Sequence, residues 1–175
     1  MTNITIRKTQ KSDIPQIAEI LLYAFQAVYA KKISEEVLRE SVAKQIENYE
    51  QRKFNTNGSM HYVAVHEKKA VAFVIGKTSE KSSLEYYKTK GFAELMSISI
   101  VPEYQRKGLG KRLFEFIANK FKKLGFVKMV IGTNMDNLQA RRAYESWGGV
   151  LDTAYERPFE ACGQSFIEVF YVFDI

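Results

Sequence analysis

The chain has a single cysteine, Cys162, so it cannot form an internal disulfide. A protein without disulfides suits a reducing compartment, and a cytoplasmic location is the expectation. Nothing near Cys162 in sequence suggests an activated thiol, which speaks against a nucleophile there. Histidine is almost as scarce, with His61 and His66 the only two. No His, Cys, Asp or Glu spacing matches a metal-ligand pattern, so no metal is expected. Long apolar runs are also missing. The richest stretch, Ile17 to Ala30, is broken by Glu19 and Gln26 and falls short of the roughly 18 residues of a membrane span. The opening residues, MTNITIRKTQ, lack the apolar centre of an export signal. Neither a Pro/Gly/Ser-rich linker nor an internal repeat divides the sequence, so residues 1–175 are expected to form one domain.

What is present is ordinary in amount and uneven in placement. Apolar residues make up 46% and charged residues 26% of the chain, as in folded soluble proteins, and this length can bury a core. The net charge of +6 favours an anionic partner, either nucleic acid or a polyphosphate cofactor. Placement separates the two. Arg106, Lys107, Lys111, Arg112, Lys120, Lys122 and Lys123 lie between Gln105 and Lys123, and only Glu115 opposes them. Several flank a glycine pair, where a phosphate site is expected. No nucleic-acid reader motif accompanies them, so nucleic acid is not an expected partner.

Residues 4–8 alternate and predict a first strand. Ser12 and Asp13 offer caps, and Pro15 falls in the first turn of a helix that carries Ile14, Ile17, Leu21, Phe25 and Val28. A second helix from Ser34 places Leu38, Val42, Ile46 and Tyr49 on one face. Asn55 to Ser59 is a turn cluster. His61 to His66 and Ala70 to Lys77 predict a hairpin. Glu80 to Gly91 is polar and predicts a loop, with Tyr86 and Tyr87 inside it. A strand from Ala93 to Val101 stops at Pro102. Leu109, Leu113, Phe116, Ile117, Phe121 and Leu124 mark a strong helix closed at Gly125. A buried strand at Val127–Gly132 and a helix at Asn137–Trp147 follow, then strands at Val150–Tyr155 and Glu168–Phe173. The order is β-α-α-β-β-β-α-β-α-β-β, an α/β class with locally parallel strands in the second half.

The segment Val101-Pro102-Glu103-Tyr104-Gln105-Arg106-Lys107-Gly108-Leu109-Gly110 joins a strand to an amphipathic helix. The first N–H groups of a helix lack internal partners and sit at its positive end, so phosphate oxygens satisfy them. Glycine lets the backbone approach a pyrophosphate. A Walker loop and a dinucleotide fingerprint both fail on spacing, since Arg112 and Leu113 stand where they need Ser or Thr and Gly. A plain strand-to-helix turn with a solvated basic face is the other reading of the spacing.

Gln105-Arg106-Lys107-Gly108-Leu109-Gly110 resembles the Gln/Arg-x-x-Gly-x-Gly/Ala motif of the GNAT superfamily of N-acetyltransferases. Asn137-Leu138-Gln139-Ala140-Arg141-Arg142-Ala143-Tyr144 is similar to that family's Asn-x-x-Ala-x-x-x-Tyr helix, and the order of elements matches over essentially the whole chain. The resemblance implies a mixed, centrally splayed sheet flanked by helices. It implies acetyl-CoA as co-substrate, held at its pyrophosphate by Gln105, Arg106, Lys107, Gly108, Leu109 and Gly110, with Lys111 nearby. The pantetheine arm would pair with Ile98, Ser99, Ile100 and Val101. Asn134 and Asn137 are further cofactor candidates, although Asn137 could equally cap its helix. The family often has Gly-Phe after the tyrosine helix; here Gly148 precedes Gly149.

Acetyl transfer to an amine needs a free amine, a held thioester, a donor for the developing oxyanion and a proton for the departing thiolate. Tyr144 is the candidate acid: seven residues from Asn137 it shares a helix face, and a phenol with a reference pKa of about 10 is protonated at neutral pH. The competing reading is a core aromatic beside Trp147. Glu94 is the candidate base. Phe92-Ala93-Glu94-Leu95 resembles the strand start bearing a catalytic glutamate in the histone-acetylating branch. An exposed or merely positioning carboxylate is the other reading. His61 and His66 are weaker alternatives, more often structural in a strand. The oxyanion donor is expected among the backbone N–H groups of 98–101. The expected acceptor is an amine of a small molecule or peptide, with no membrane partner. Tyr23, Phe25, Tyr29, Lys31 and Lys32, together with Tyr86 and Tyr87, are residues some of which could line its pocket. A silent acyl-CoA-binding or sensing module is the alternative function. The apolar terminal strand, taken as an edge, suggests a homodimer.

Overall fold

The computed structural model describes residues 3–51 and 58–175. The strands are β1 (Thr5–Lys8), β2 (Ser59–His66), β3 (Lys69–Lys77), β4 (Ala93–Ile100), β5 (Lys128–Asn134), β6 (Val150–Ala161) and β7 (Gln164–Asp174). The helices are α1 (Ile14–Tyr29), α2 (Glu35–Gln51), the single turn α3 (Glu85–Lys88), α4 (Leu109–Lys123) and α5 (Leu138–Ser146). The expected alternation is present, with α3 added. The Asn55–Asn57 part of the turn cluster and the Tyr49 side chain lie outside the described residues.

The strands form one sheet in the order β1-β2-β3-β4-β5-β7-β6. Every neighbouring pair is antiparallel except β4 and β5, which run parallel and meet only at Ala93↔Met129 and Glu94↔Val130. Beyond Glu94 the two strands part. The register explains why. Gly76 faces Leu95, but Ile75 already faces Ser97, so Met96 is an extra residue in β4. Such a bulge bends its strand and sharpens its twist. β4 therefore leans away from β5 and leaves a wedge in the middle of the sheet.

Helices cover both faces. Leu109, Leu113, Ile117 and Phe121 of α4 pack on Val74, Leu95, Met129 and Ile131. Ile17 and Ile20 of α1 cover Val63, Phe73 and Ile75 on the other side. Gly76 makes the α4 contact possible, because a Cβ there would stand 2.8 Å from Phe121 Cζ and 2.9 Å from Ile117 Cδ1. Asp13 precedes α1 without capping it. Its carboxylate takes both arms of the Arg7 guanidinium at 2.7 Å and the Gln10 N–H at 2.8 Å, tying β1 to the helix start. Burial would raise the Asp13 pKa, but the Arg7 fork and the Gln10 N–H together hold it below the ordinary value. Among the described residues no helix is long and apolar enough to cross a membrane.

Three expectations need correction. Residues 80–91 are not a plain loop: Leu84 and Tyr87 are buried against Val130 and Phe170, and the Tyr87 hydroxyl donates to Asp152 at 2.9 Å. That partner lets a tyrosine go fully under. The last hairpin is longer than expected, because Glu156 to Ala161 pair with β7 in spite of Pro158. Finally, β7 is not an edge. It lies between β5 and β6, so the edge argument for a homodimer does not apply to it.

Gly76→Ala is expected to destabilise the fold by about 1–3 kcal/mol through overpacking of α4 against β3. Thermal or denaturant melting measures this. A variant as stable as the wild type would mean that α4 can shift freely on the sheet.

Candidate active site

The wedge between β4 and β5 opens into a cavity of about 400 Å³. Its walls are the outer half of β4, the turn into α4, the inner face of α5 and the C-terminal half of α1. The hydrogen-bond parity of β4 decides what it offers. The Val101 N–H donates to Val71 O on β3 at 3.0 Å. Alternation then turns Ser99 to β3 as well and turns the N–H and C=O of Ile98 and Ile100 toward the wedge. The Ile100 carbonyl agrees, since it accepts from Gln105 Nε2 at 2.9 Å and not from β3. Buried backbone groups require partners. Along this edge of β4 no strand supplies them beyond Glu94.

At the end of the wedge the chain turns into α4. Arg106 and Gly108 both take left-handed backbone conformations, φ 54° and 81°, and Gly108 is the residue that caps α4. The first N–H groups of α4 therefore face the cavity with the positive end of the helix dipole, and Arg106 and Lys111 line the same space. Gly110 keeps its throat open: a Cβ would lie 3.1 Å from the Trp147 ring and 3.3 Å from Ile100 Cδ1. Gln105 ties the turn together, bonding Ile100 O on one side and accepting from Gln139 Nε2 at 3.0 Å on the other.

Tyr144 of α5 lines the same cavity, packed between Trp147 and Tyr171 with ring centroids 5.7 Å from each. Its hydroxyl makes no hydrogen bond to the described residues. Burial alone pushes the phenol far above its ordinary pKa, so it stays protonated well into the alkaline range.

This cavity, with an unpaired strand edge, a glycine-opened helix start and a protonated phenol, agrees with the comparisons with known proteins. The sequence model of the Acetyltransferase (GNAT) family matches residues 22–149. The chain belongs to the GNAT acetyltransferase family. A 56-residue stretch is 36% identical to the [ribosomal protein bS18]-alanine N-acetyltransferase of Escherichia coli K12, covering 32% of this chain and 38% of that relative. The chain thus spans under two fifths of the curated relative it matches. Among solved structures, the PaiA N-acetyltransferase of Thermoplasma acidophilum in complex with coenzyme A superposes with a TM-score of 0.67 at 20% identity. It covers 99% of this chain and 100% of that one. The Escherichia coli ribosomal-protein-S18-alanine N-acetyltransferase gives 0.63 at 21% identity over 99% and 94%. These likenesses show the GNAT fold.

Of the GNAT positions named from sequence, Ile98, Ser99, Ile100, Gln105, Arg106, Gly108, Gly110, Lys111, Asn137 and Tyr144 line the cavity. Others do not. The Val101 N–H is already bonded to Val71. The Leu109 side chain is core, and Lys107 lies toward the Tyr104 ring, 5.9 Å away. Arg112 turns from the cavity to bond Ile4 O at 2.9 Å. Asn137 caps α5, its Oδ1 accepting from Ala140 N at 3.2 Å, and it also lines the cavity. Asn134 faces a different depression.

Glu94 is buried at the apex of the wedge, where β4 and β5 last touch. Ala93 and Leu95 face α4, so Glu94 points to the opposite face. Its Oε2 accepts from Ser82 Oγ at 2.7 Å and Ser83 N at 3.2 Å. His61 and His66 line no part of the cavity; their rings bond Ser59 Oγ at 2.8 Å and the Tyr104 hydroxyl at 2.7 Å. Sequence reasoning missed the wall from α1, Ala24 and Ala27, and also Gln139, Ala140, Ala143 and Trp147 of the α5 segment. The run of small residues on one side of each helix was the available signal.

Proposed function

We propose that this chain transfers an acetyl group from acetyl-CoA to an amine, directly, within a ternary complex. The observation that carries the reading is the meeting of three features in one cavity: the unpaired Ile98–Ile100 edge, the α4 N-terminus and Tyr144. The pyrophosphate lies on the N–H groups that open α4, with Arg106 and Lys111 adding charge. The pantetheine arm takes the place of a strand beside β4, pairing with Ile98 and Ile100. The Escherichia coli relative that acetylates an alanine of ribosomal protein bS18 supports a peptide amine as acceptor.

The chemistry follows from these positions. A free amine attacks the thioester carbonyl carbon, and a C–N bond forms while the carbonyl oxygen becomes an oxyanion. The Ile98 N–H, which points into the wedge, is the nearest backbone donor for it. Collapse breaks the C–S bond, and the thiolate takes the Tyr144 proton. The nitrogen loses its extra proton to Glu94. Glu94 stands four residues upstream of Ile98, about 13 Å along an extended strand, too far for direct contact with an amine held there. That proton travels through water. Tyr144 is then restored from the same solvent.

A thiol-release assay with an amine panel tests the activity itself, and two variants test the roles. Tyr144→Phe keeps the ring and its packing. It is expected to lower kcat tenfold or more with folding and acetyl-CoA binding intact, since about 1.4 kcal/mol of lost transition-state stabilisation is tenfold in rate. Equal rates at equal stability would assign Tyr144 to the core alone. Glu94→Gln retains an oxygen for Ser82. It is expected to lower kcat by about 10²-fold near neutral pH. The loss shrinks as pH rises, because hydroxide then takes the proton that Glu94 would accept. A pH–rate profile that the substitution leaves unchanged would make Glu94 structural.

A further inference from the structure

Between Glu94 at the apex and the reacting centre lies the outer half of β4, and it carries two serines whose placement depends on the bulge. Ser97 stands three positions after Glu94. In a regular strand an odd step sets two side chains on opposite faces. Met96 is the extra residue, and the register brings Glu94, Ser97 and Ser99 opposite Lys77, Ile75 and Phe73 of β3. Directly paired residues share a face, and Phe73 and Ile75 pack beneath α1. The bulge therefore lines Glu94, Ser97 and Ser99 up on the α1 face, with rungs about 7 Å apart. Ser99, the outermost rung, is part of the wall of the wedge cavity.

Both serines are half-buried, and neither hydroxyl has a hydrogen-bond partner among the described residues. One oxygen of Glu94 is in the same condition. Ser82 Oγ and Ser83 N bond Oε2, which leaves Oε1 without a partner among the described residues. A serine hydroxyl both donates and accepts, and a water making two bonds of about 2.8 Å spans a gap between such rungs. Ala24, Ala27 and Val28 of α1, which share the cavity wall with Ser99, carry no polar group that competes for it. Other polar groups on this face are committed. Glu168 lies over Gly132 and is held by Arg157 at 2.7 Å, and the Tyr29 hydroxyl is bonded to Asn134. Around Glu94, the cross-strand Lys77 makes no ion pair with it, and Tyr87, packed on Val130, donates to Asp152. Leu109, Leu113 and Tyr144 fill the α4 side of the sheet. An amine thus reaches a carbonyl at the Ile98 N–H from the α1 side, where the serines stand.

We infer that Ser99 and Ser97 relay the proton of the attacking amine to Glu94, with one water bridging each gap between rungs. This rests on the transferase reading above and names the route by which its proton leaves. As the C–N bond forms, an N–H bond of the nitrogen breaks toward Ser99 Oγ. Each hydroxyl and each water takes one proton and gives up its own, and the chain ends in an O–H bond on Glu94 Oε1. Only the nitrogen and the carboxylate change charge.

Ser97 is the rung to replace, because it lines no part of the cavity and its loss leaves substrate contacts in place. Threonine and valine form a matched pair that differs by one hydroxyl. The assay uses the full chain, acetyl-CoA and the fastest amine among spermidine, tyramine and L-alaninamide. Ser97→Val is expected to lower kcat about tenfold near neutral pH with KM unchanged, and Ser97→Thr to stay within about twofold of the wild type. The Ser97→Val deficit shrinks as pH rises, because hydroxide then takes the proton. In a Glu94→Gln background the same substitution is expected to cost nothing further, since links of one chain are not additive. A Ser97→Val variant as fast as Ser97→Thr, a deficit of equal size in both backgrounds, or a deficit constant with pH overturns the relay. If Ser97→Val fails to fold, Ser97→Ala against the wild type decides by the same criteria. A wild type that transfers to none of the amines removes the transferase reading and the relay with it. An active wild type whose rate ignores the Ser97 hydroxyl removes the relay alone.

Discussion

The parting of β4 and β5 is the constraint from which the rest follows. Two residue pairs join these strands, and after Glu94↔Val130 the ladder stops. A sheet broken in its middle leaves backbone donors and acceptors of the half-buried Ile98 and Ile100 without a partner strand. That is costly unless something else supplies the hydrogen bonds. The bulge at Met96 sets the angle, and α4, packed tightly through Gly76, holds the two halves together on one face. The fold is thus stable around a strand-shaped vacancy. A molecule that is itself extended and carries amides can occupy it.

The same geometry arranges charge. Because β4 ends at the wedge, the turn after it must start α4 there, and the helix dipole points its positive end at the vacancy. The left-handed residues Arg106 and Gly108 make that turn tight enough to bring N–H groups forward. Not every nearby cation participates, as Arg112 is spent on the Ile4 carbonyl. Tyr144 is a core aromatic against Trp147 and Tyr171, and its burial keeps its proton in place at the cavity wall.

Much of this was legible in the sequence. The α4 helix declared itself because Leu109, Leu113, Ile117 and Phe121 repeat at helical spacing and all reach the core. The glycine turn was legible because few other conformations demand Gly at those places. The features that escaped depend on partners distant in sequence. Nothing local marks Met96 as a bulge; only its register against β3 does. Glu156 to Ala161 carry charge and a proline, so the strand became visible only with β7 beside it. Asn134 and Asn137 look interchangeable three residues apart, yet a turn through Asp136 sends one to a second depression and leaves the other as a cap. Propensity reports what a residue tolerates locally, while register and burial are set by what packs against it.

The central claim is that the wedge of β4 and the start of α4 form one binding site for acetyl-CoA. Titration calorimetry across a salt series tests it most directly. Saturable one-to-one binding in the micromolar range, about −8 kcal/mol, is expected, weakening as salt screens the phosphate contacts. No heat of binding at millimolar acetyl-CoA, or an affinity indifferent to salt, would contradict it.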